Sequence, residues 1–397
     1  MTTQNPIQRN VGELARAQRG PLRFDVLLAA AVIGLLACSL ITIQAATTDD
    51  VAGQPHFYLY RQLAYAIVGL GLMFALSRID YSRLRELKYG LYVAMIGLIT
   101  LVILIGGTTR GSRRSFFLPF FSFQPSELGK LLLILALSAF MVDRARRLHD
   151  RDTTARVMLI ALFPAMLVML QPDLGTGLVF VVIALATLFI AGTPGRHFAG
   201  LAAVGAVAVA FTLVAAPAVG VQVLKPYQMD RLTAFLNPSQ DPGAEGYQQA
   251  QSRIAIGSGE KTGRGADEAT QTRLDFLPEH HTDFVFAVVG ERFGFLGAAI
   301  VLSLYALLIW RTLRILTLAK NLYGALIAGG IVAMLLFQVF VNVGMTVGIM
   351  PITGVPLPLM SYGGSSVIVT LMAIGVLQSI YAQARVSAAS KGRVLTF

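Results

Sequence analysis

Charge is scarce in this sequence: 13% of its 397 residues are charged, against about 25% in soluble globular domains. With 55% of its residues apolar and a mean hydropathy of +0.67, the composition is that of an integral membrane protein. Cysteine is scarcer still. The single Cys38 lies inside an apolar run, which excludes an intrachain disulfide framework and a cysteine-rich metal site. The five histidines include one adjacent pair, His280 and His281, and no H-x-x-x-H, so no dedicated zinc site is indicated. The net charge of +11 is carried mostly by short segments between apolar runs. It reads as a membrane-orientation signal and not as a nucleic-acid surface.

Apolar runs of about 20 residues, the length that crosses a bilayer, fall near 25–46, 58–77, 87–106, 126–142, 156–171, 175–192, 197–221, 284–309, 324–349 and 363–384. They predict an all-α integral membrane protein with ten transmembrane helices. The first run is longer than a signal-peptide core and many more follow, so it reads as a span. Most of the 32 lysines and arginines lie before the first run, after the second, fourth, sixth and eighth, and after the tenth. That alternation places both termini, a tail over 1–24 and another over 385–397, in the cytoplasm. The membrane domain then covers 25–384, with a large extracytoplasmic loop, 222–283, between helices 7 and 8. Loops of that length without a role are uncommon. Here "YQQAQSRIAIG" reads as a short amphipathic helix, and apolar residues such as Tyr247, Ile254, Ile256 and Phe276 give the loop surface to dock on the outer face.

An ionisable residue at membrane depth costs a few kcal/mol, which makes each one a functional candidate. "FLPEHHTDFVFAVVGE" gathers Glu279, His281, Thr282 and Asp283 at the mouth of the eighth span and places Glu291 within it, followed by Arg292. Thr282 or Asp283 is suited to capping that helix, and Asp283 is also a candidate for chemistry. Glu291, about 12 Å further along a helix, belongs against the bundle interior or a wet cavity. In "FQPSELGKLLL", Glu127 and Lys130 are three apart on one face, either joining helices as a neutral pair or lining a cavity. "TTRGSRRSFF" sets Arg113 and Arg114 near glycine, suited to a diphosphate or to lipid headgroups, and Arg61 adds a third guanidinium at similar depth. "QPDLGTG" is a turn that leaves Asp173 near the outer surface. "MPITGVPLPLMSYGGSS" cannot be helical, and non-helical backbone at that depth must be buried in protein or line a cavity. Asn342 is placed to satisfy its freed backbone groups.

Together, "FLPEHHTDFVFAVVGE", "FQPSELGK", "QPDLGTG", "GYQQAQSRIAIGSG" and "PITGVPLPLMSYGGSS", in that family's order from about Asp25 to Ala384, resemble the SEDS proteins (shape, elongation, division, sporulation). "NPSQDPGAEGYQ" and "TQTRLDFLPE" resemble the elongation branch, typified by RodA, more than the division branch, typified by FtsW. The resemblance implies a ten-span peptidoglycan glycosyltransferase that polymerises lipid II into β-1,4-linked strands outside the cytoplasmic membrane. It also implies a class B penicillin-binding protein transpeptidase as partner, among other elongation-complex proteins, in a bacterial inner membrane. The family's essential aspartate falls on Asp283, its cavity pair on Glu127 and Lys130, its span-two arginine on Arg61 and its turn aspartate on Asp173. Two departures are visible: Ser115 separates the arginines from Phe116, and Glu260 stands where a second glycine is common.

In that reading Arg61, Arg113, Arg114 and Lys130 stabilise a diphosphate leaving group. Asp283 takes the acceptor's proton, orients the hydroxyl, or holds a divalent cation such as Mg²⁺ or Mn²⁺. An α-linked donor and a β-linked product imply inversion in a single displacement. A flippase for the lipid-linked precursor, or a scaffold for the crosslinking enzyme, is the competing class. The motif-borne charges cluster at the outer side and not across the membrane, which favours the enzyme. Small residues (Gly297, Ala298, Ala299, Ala328, Gly329, Gly330) on spans eight and nine would either admit a partner's transmembrane helix or pack within the bundle.

Overall fold

The computed structural model describes residues 24–48, 53–109, 112–118, 121–218, 244–265, 268–274 and 276–394, with scattered positions between 220 and 235. The expected tail over 1–24 lies outside the described residues except for Phe24, as does much of 222–243. The apolar runs form helices because a chain in hydrocarbon must satisfy its backbone groups internally. In chain order these are α1 (Val26–Thr47), α2 (Phe57–Arg78), α3 (Lys88–Ile105), α4 (Pro125–Asp143), α5 (Arg151–Leu170), α6 (Leu174–Ile190) and α7 (Gly195–Ala210). Helix α7 continues through a π-helical turn, Phe211–Ala215, to Ala218. Then come α8 (Ala244–Ser258), the short α9 (Thr270–Arg273), α10 (Val285–Leu318), α11 (Leu322–Val347) and α12 (Gly364–Val394). Among the described residues, nine helices are long and apolar enough to span a membrane, and α6, with 17 residues, is a shorter apolar one. The protein is a multi-pass membrane protein.

Helices α4, α11 and α12 form the centre, with most of their residues buried. Around them α12 packs along α2, α10 lies against α11 and α1, α5 against α6, and α3 against α4. Helix α7 exposes nearly its whole surface, with His197 and Ala216 its buried residues. At one end of the bundle Asp25, 1% exposed, ties three helices together. Its carboxylate caps α1 at Leu28 N (3.0 Å) and pairs with Arg311 of α10, while its backbone exchanges two hydrogen bonds with Gln378 of α12.

The structure refines the reading of the sequence at four places. First, the segment ahead of α4 carries three strands: β1 (Gly107–Thr109), β2 (Ser112–Leu118) and β3 (Phe121–Phe123) form an antiparallel sheet in the order β1-β2-β3. Second, the eighth span begins at Val285, runs to Leu318, and breaks at Gly294 (φ 62°, ψ −159°). Third, of the two readings open for the small residues of α11, packing within the bundle is the one observed. Ala328, Gly329 and Gly330 are buried, the two glycines against Ile190 of α6 and Ile134 of α4. Fourth, α12 extends past 384 to Val394, so most of the expected tail over 385–397 continues the helix.

Glu291 lies in the short piece of α10 before the break at Gly294. Residues 285–293 form a separate piece ahead of the break, and the 260–272 segment packs onto it. Glu291 is fully buried, and its carboxylate accepts from Gln271 N (2.8 Å), Thr272 N (3.0 Å) and the Thr272 hydroxyl. It thus anchors α9, satisfying amides at that helix start. Backbone bonds complete the join on both sides of the break: Arg264 N to Glu291 O, Gly265 N to Arg292 O, Phe295 N to Glu260 O and Leu296 N to Lys261 O, at 2.9–3.1 Å. The expected amphipathic helix is α8, docked through Gln249 Nε2 to Met350 O (3.0 Å) and Ser252 Oγ to Thr346 O (2.8 Å).

Gly294 occupies a region of backbone space essentially restricted to glycine, and a Cβ there would sit 2.3 Å from Gly263 N. Gly294→Ala should therefore destabilise the protein by at least about 2 kcal/mol, read as a fall in melting temperature in detergent. Gly257→Ala, where a Cβ meets open space on α8, serves as the control and should not lower it.

Candidate active site

At the end of the bundle opposite Asp25, a cavity of about 480 Å³ is bounded by the sheet, the start of α2, the 276–284 loop and the non-helical stretch after α11. The first residues of α2, α4, α6, α10 and α12 all lie at this end. Five helix N-termini give the region a positive electrostatic bias before any side chain is counted. Arg61, Arg114, Glu127, Asp173, Glu279, Thr282 and Asp283 all line this one cavity. Lys130 stands behind it. His281 also lies behind, its ring near Tyr58 (centroids 4.8 Å) and Tyr362 (5.7 Å). Arg113 pairs through its backbone with Thr108; its side chain lies outside the described residues.

Each group is set by its local fold. Pro125 starts α4 at a position that needs no amide donor. Glu127 follows in the first turn, 3% exposed, and Lys130, 2% exposed, pairs with it at 2.7 Å. The pair is therefore buried and Glu127 reaches the cavity wall as well. Asp173 caps α6 at Thr176 N (3.0 Å), and its other oxygen accepts from Gln124 Nε2 (3.1 Å). Gln124 N in turn donates to Ser365 Oγ (2.9 Å), which donates to Ser122 O (2.9 Å), locking β3 to α12. Arg61 lies over the Phe57 ring at 4.3 Å. Burial pushes the Tyr362 phenol above its ordinary range, and Tyr65 adds to the shift while Arg61 opposes it. Tyr362 thus keeps its proton at the cavity wall.

The acidic loop is not the helix cap that its sequence suggests. Phe284 is the N-cap residue of α10, with no capping side chain, and the Thr282 hydroxyl donates instead to Glu279 Oε2 at 2.8 Å. Glu279 holds a left-handed conformation (φ 57°) and its carbonyl receives Thr282 N, Asp283 N and Phe284 N. This tight turn brings Asp283 to the cavity beside Gly354. Asn342 does bond freed backbone groups, donating to Asp283 O (2.9 Å) and Val355 O (2.8 Å). The residues missed in the sequence are the uncharged ones: Gln124, Ser122 and Ser365, and the aromatic wall of Tyr58, Tyr65, Phe121 and Tyr362. Gln124 had a signal in "FQP", a polar residue directly before a Pro-started helix. Aromatic residues have none in a chain this apolar.

The family model for the cell cycle proteins FtsW, RodA and SpoVE matches residues 22–386. The chain belongs to this family. It is 36% identical over 362 residues to stage V sporulation protein E of Bacillus subtilis, covering 90% of this chain and 96% of that protein. Peptidoglycan glycosyltransferase MrdB of Escherichia coli is 36% identical over 352 residues, covering 88% and 91%. Among solved structures, a chain of a peptidoglycan synthase complex that coordinates polymerization and crosslinking matches with a TM-score of 0.75 at 34% identity, covering 91% of this chain and 98% of that one. RodA of Thermus thermophilus, a rod shape determining protein, matches with a TM-score of 0.64 at 32% identity, covering 90% and 96%.

The buried pair on α4 of this family member can be tested directly. Removing one partner of such a pair leaves a buried charge uncompensated, at about 3–5 kcal/mol. Glu127→Ala and Lys130→Ala should each lower the melting temperature in detergent, and the double variant should lose at least about 1 kcal/mol less than the sum. Strict additivity would mean that the two side chains act independently.

Proposed function

We propose that this chain is a peptidoglycan glycosyltransferase that polymerises lipid II into β-1,4-linked glycan strands at the outer face of the cytoplasmic membrane. The observation that carries the reading is the shared cavity: Arg61, Arg114 and Asp283 face one space onto which five helix N-termini converge. Relatives named as peptidoglycan glycosyltransferases support it. In the reaction the acceptor hydroxyl oxygen forms a bond to the donor's anomeric carbon as the bond from that carbon to the lipid diphosphate breaks. Negative charge builds on the departing diphosphate, where guanidinium groups and helix N-termini are most effective. The acceptor loses a proton, and Asp283 is the carboxylate that orients the hydroxyl and receives it. One displacement inverts the α-linked donor to the β-linked product. Glu127, neutralised by Lys130, and Asp173, held by Gln124 and Thr176, shape the polar wall for the substrate, with Glu279, His281 and Thr282 supporting the Asp283 turn. Arg113 is assigned to diphosphate binding beside Arg114.

No group of three or more His, Cys, Asp or Glu suited to a metal occurs among the described residues. A divalent cation such as Mg²⁺ is commonly held by one or two carboxylates together with substrate phosphates. Asp283 and Glu279 are the cavity carboxylates that fit such a role, and the cation would supply charge neutralisation to the diphosphate. In the arrangement proposed, α6 completes ten spans, both termini are cytoplasmic, the 222–283 segment is the extracytoplasmic loop, and the cavity faces outward. The concentration of cavity charges at one end supports an enzyme over a flippase, which needs a polar path through the membrane.

The partner proposed is a class B penicillin-binding protein of the elongation complex. Support comes from the match to a chain of a synthase complex that couples polymerization to crosslinking. Its helix would lie on the exposed apolar side of α10 and α11, where Leu296, Ile300, Leu336 and Phe340 are uncovered. Asp283→Asn should abolish polymer formation from lipid II while the protein stays folded in the membrane. Polymer at near wild-type level on a gel would remove Asp283 from the reaction.

A further inference from the structure

The carbonyls of three consecutive residues ending in Asp283 are each held by a different group. Tyr362 N donates to His281 O at 2.9 Å, Ser361 Oγ to Thr282 O at 2.6 Å, and Asn342 Nδ2 to Asp283 O at 2.9 Å. The Thr282 carbonyl belongs to the peptide plane before the Asp283 Cα, and the Asp283 carbonyl to the plane after it. Peptide planes are rigid, and φ and ψ are the only soft rotations between them. Holding both planes therefore fixes the backbone of Asp283 and the direction in which its side chain leaves. Asp283 N, on the first plane's other edge, donates to Glu279 O at 3.2 Å.

The two holding side chains are themselves constrained. Ser361, 1% exposed, accepts from Leu357 N at 2.8 Å while donating to Thr282 O, so its hydroxyl proton has one direction. Its turn is braced from α1 and α2. Ser39 Oγ donates to Met360 O (2.8 Å), and Gln62 Nε2 bridges Ser39 Oγ (3.1 Å) and Ser361 O (3.3 Å). Asn342, fully buried on α11, joins the Asp283 loop to Val355 in the opposite wall. Buried carbonyls require partners wherever they occur. What distinguishes this arrangement is that two side chains from separate parts of the fold bracket one residue, and that residue borders the cavity.

We propose that Ser361 and Asn342 are positioning residues that fix the backbone of Asp283 and thereby aim its carboxylate at the acceptor hydroxyl. The inference rests on Asp283 being the reacting carboxylate. Misplacement of a reacting group by about 1 Å is enough to cost about 10²-fold in rate.

The test measures polymerisation of lipid II by the full-length protein, comparing Ser361→Ala, Ser361→Thr and Asn342→Ala with Asp283→Asn. Ser361→Ala and Asn342→Ala should lower kcat by roughly 10- to 10²-fold with KM within about twofold, and Ser361→Thr, which keeps the hydroxyl, should recover most of the loss. Should Ser361→Ala fail to accumulate in the membrane, Asn342→Ala carries the same comparison. Wild-type kcat in both alanine variants, beside an inactive Asp283→Asn, would overturn the positioning role and leave Asp283 in place. A raised KM, with Thr no better than Ala at 361, would mark general loosening of the cavity and overturn it too. An active Asp283→Asn variant would remove the premise as well as the inference.

Discussion

A backbone amide or carbonyl taken out of water without a partner costs several kcal/mol, and that constraint governs the buried non-helical segments among the described residues. The 350–363 stretch has no regular structure, yet its carbonyls at Val355, Met360 and Ser361 are met by Asn342, Ser39 and Gln62. The break at Gly294 is met by backbone bonds from the 260–265 segment, and the start of α9 by the Glu291 carboxylate. Several of the polar residues buried in this apolar bundle thus serve its irregular points. The cavity is a by-product of the same arrangement, because helices that stop short leave space bounded by satisfied backbone.

Buried charge follows a similar logic at two opposite ends. Asp25 and Arg311 close one end by joining α1 to α10, and Gln378 adds α12. Glu127 and Lys130 sit at the other end on a single helix, three residues apart, so they neutralise each other without joining distant elements. Pairs of this kind are weak sources of net stability, since desolvation offsets attraction. A pair that links three helices has a structural reason to persist. A pair within one helix lacks that reason, which directs attention to Glu127's place on the cavity wall.

Much of the fold was legible because the bilayer imposes a simple length rule on apolar runs, and each expected span overlaps a helix, with α10 and α12 running on well past the expected ends. The charged part of the site was legible for a related reason: Arg61, Glu127, Lys130, Asp173 and Asp283 stand out in so apolar a chain. Features that depend on tertiary contact were not legible. Strand β2, Ser112–Leu118, carries adjacent arginines and adjacent phenylalanines instead of an alternating pattern, and its partners are three residues long. Gly294 looks like any glycine in a membrane helix until the 259–263 segment is laid against it. Glu291 read as a buried residue without its partners Gln271 and Thr272 being visible, and the small residues of α11 read equally well as an outward or an inward face.

The bonds around Gly294 have a mechanical result. Arg264 and Gly265 attach to residues before the break, while Glu260 and Lys261 attach to residues after it. One short segment therefore splints both pieces, and the break is a welded corner and not a hinge. The longer piece, residues 295–318, is an arm of roughly 35 Å, and membrane helices answer a change in hydrocarbon thickness by tilting. Through these bonds the arm and the piece that follows Asp283 are joined as one unit.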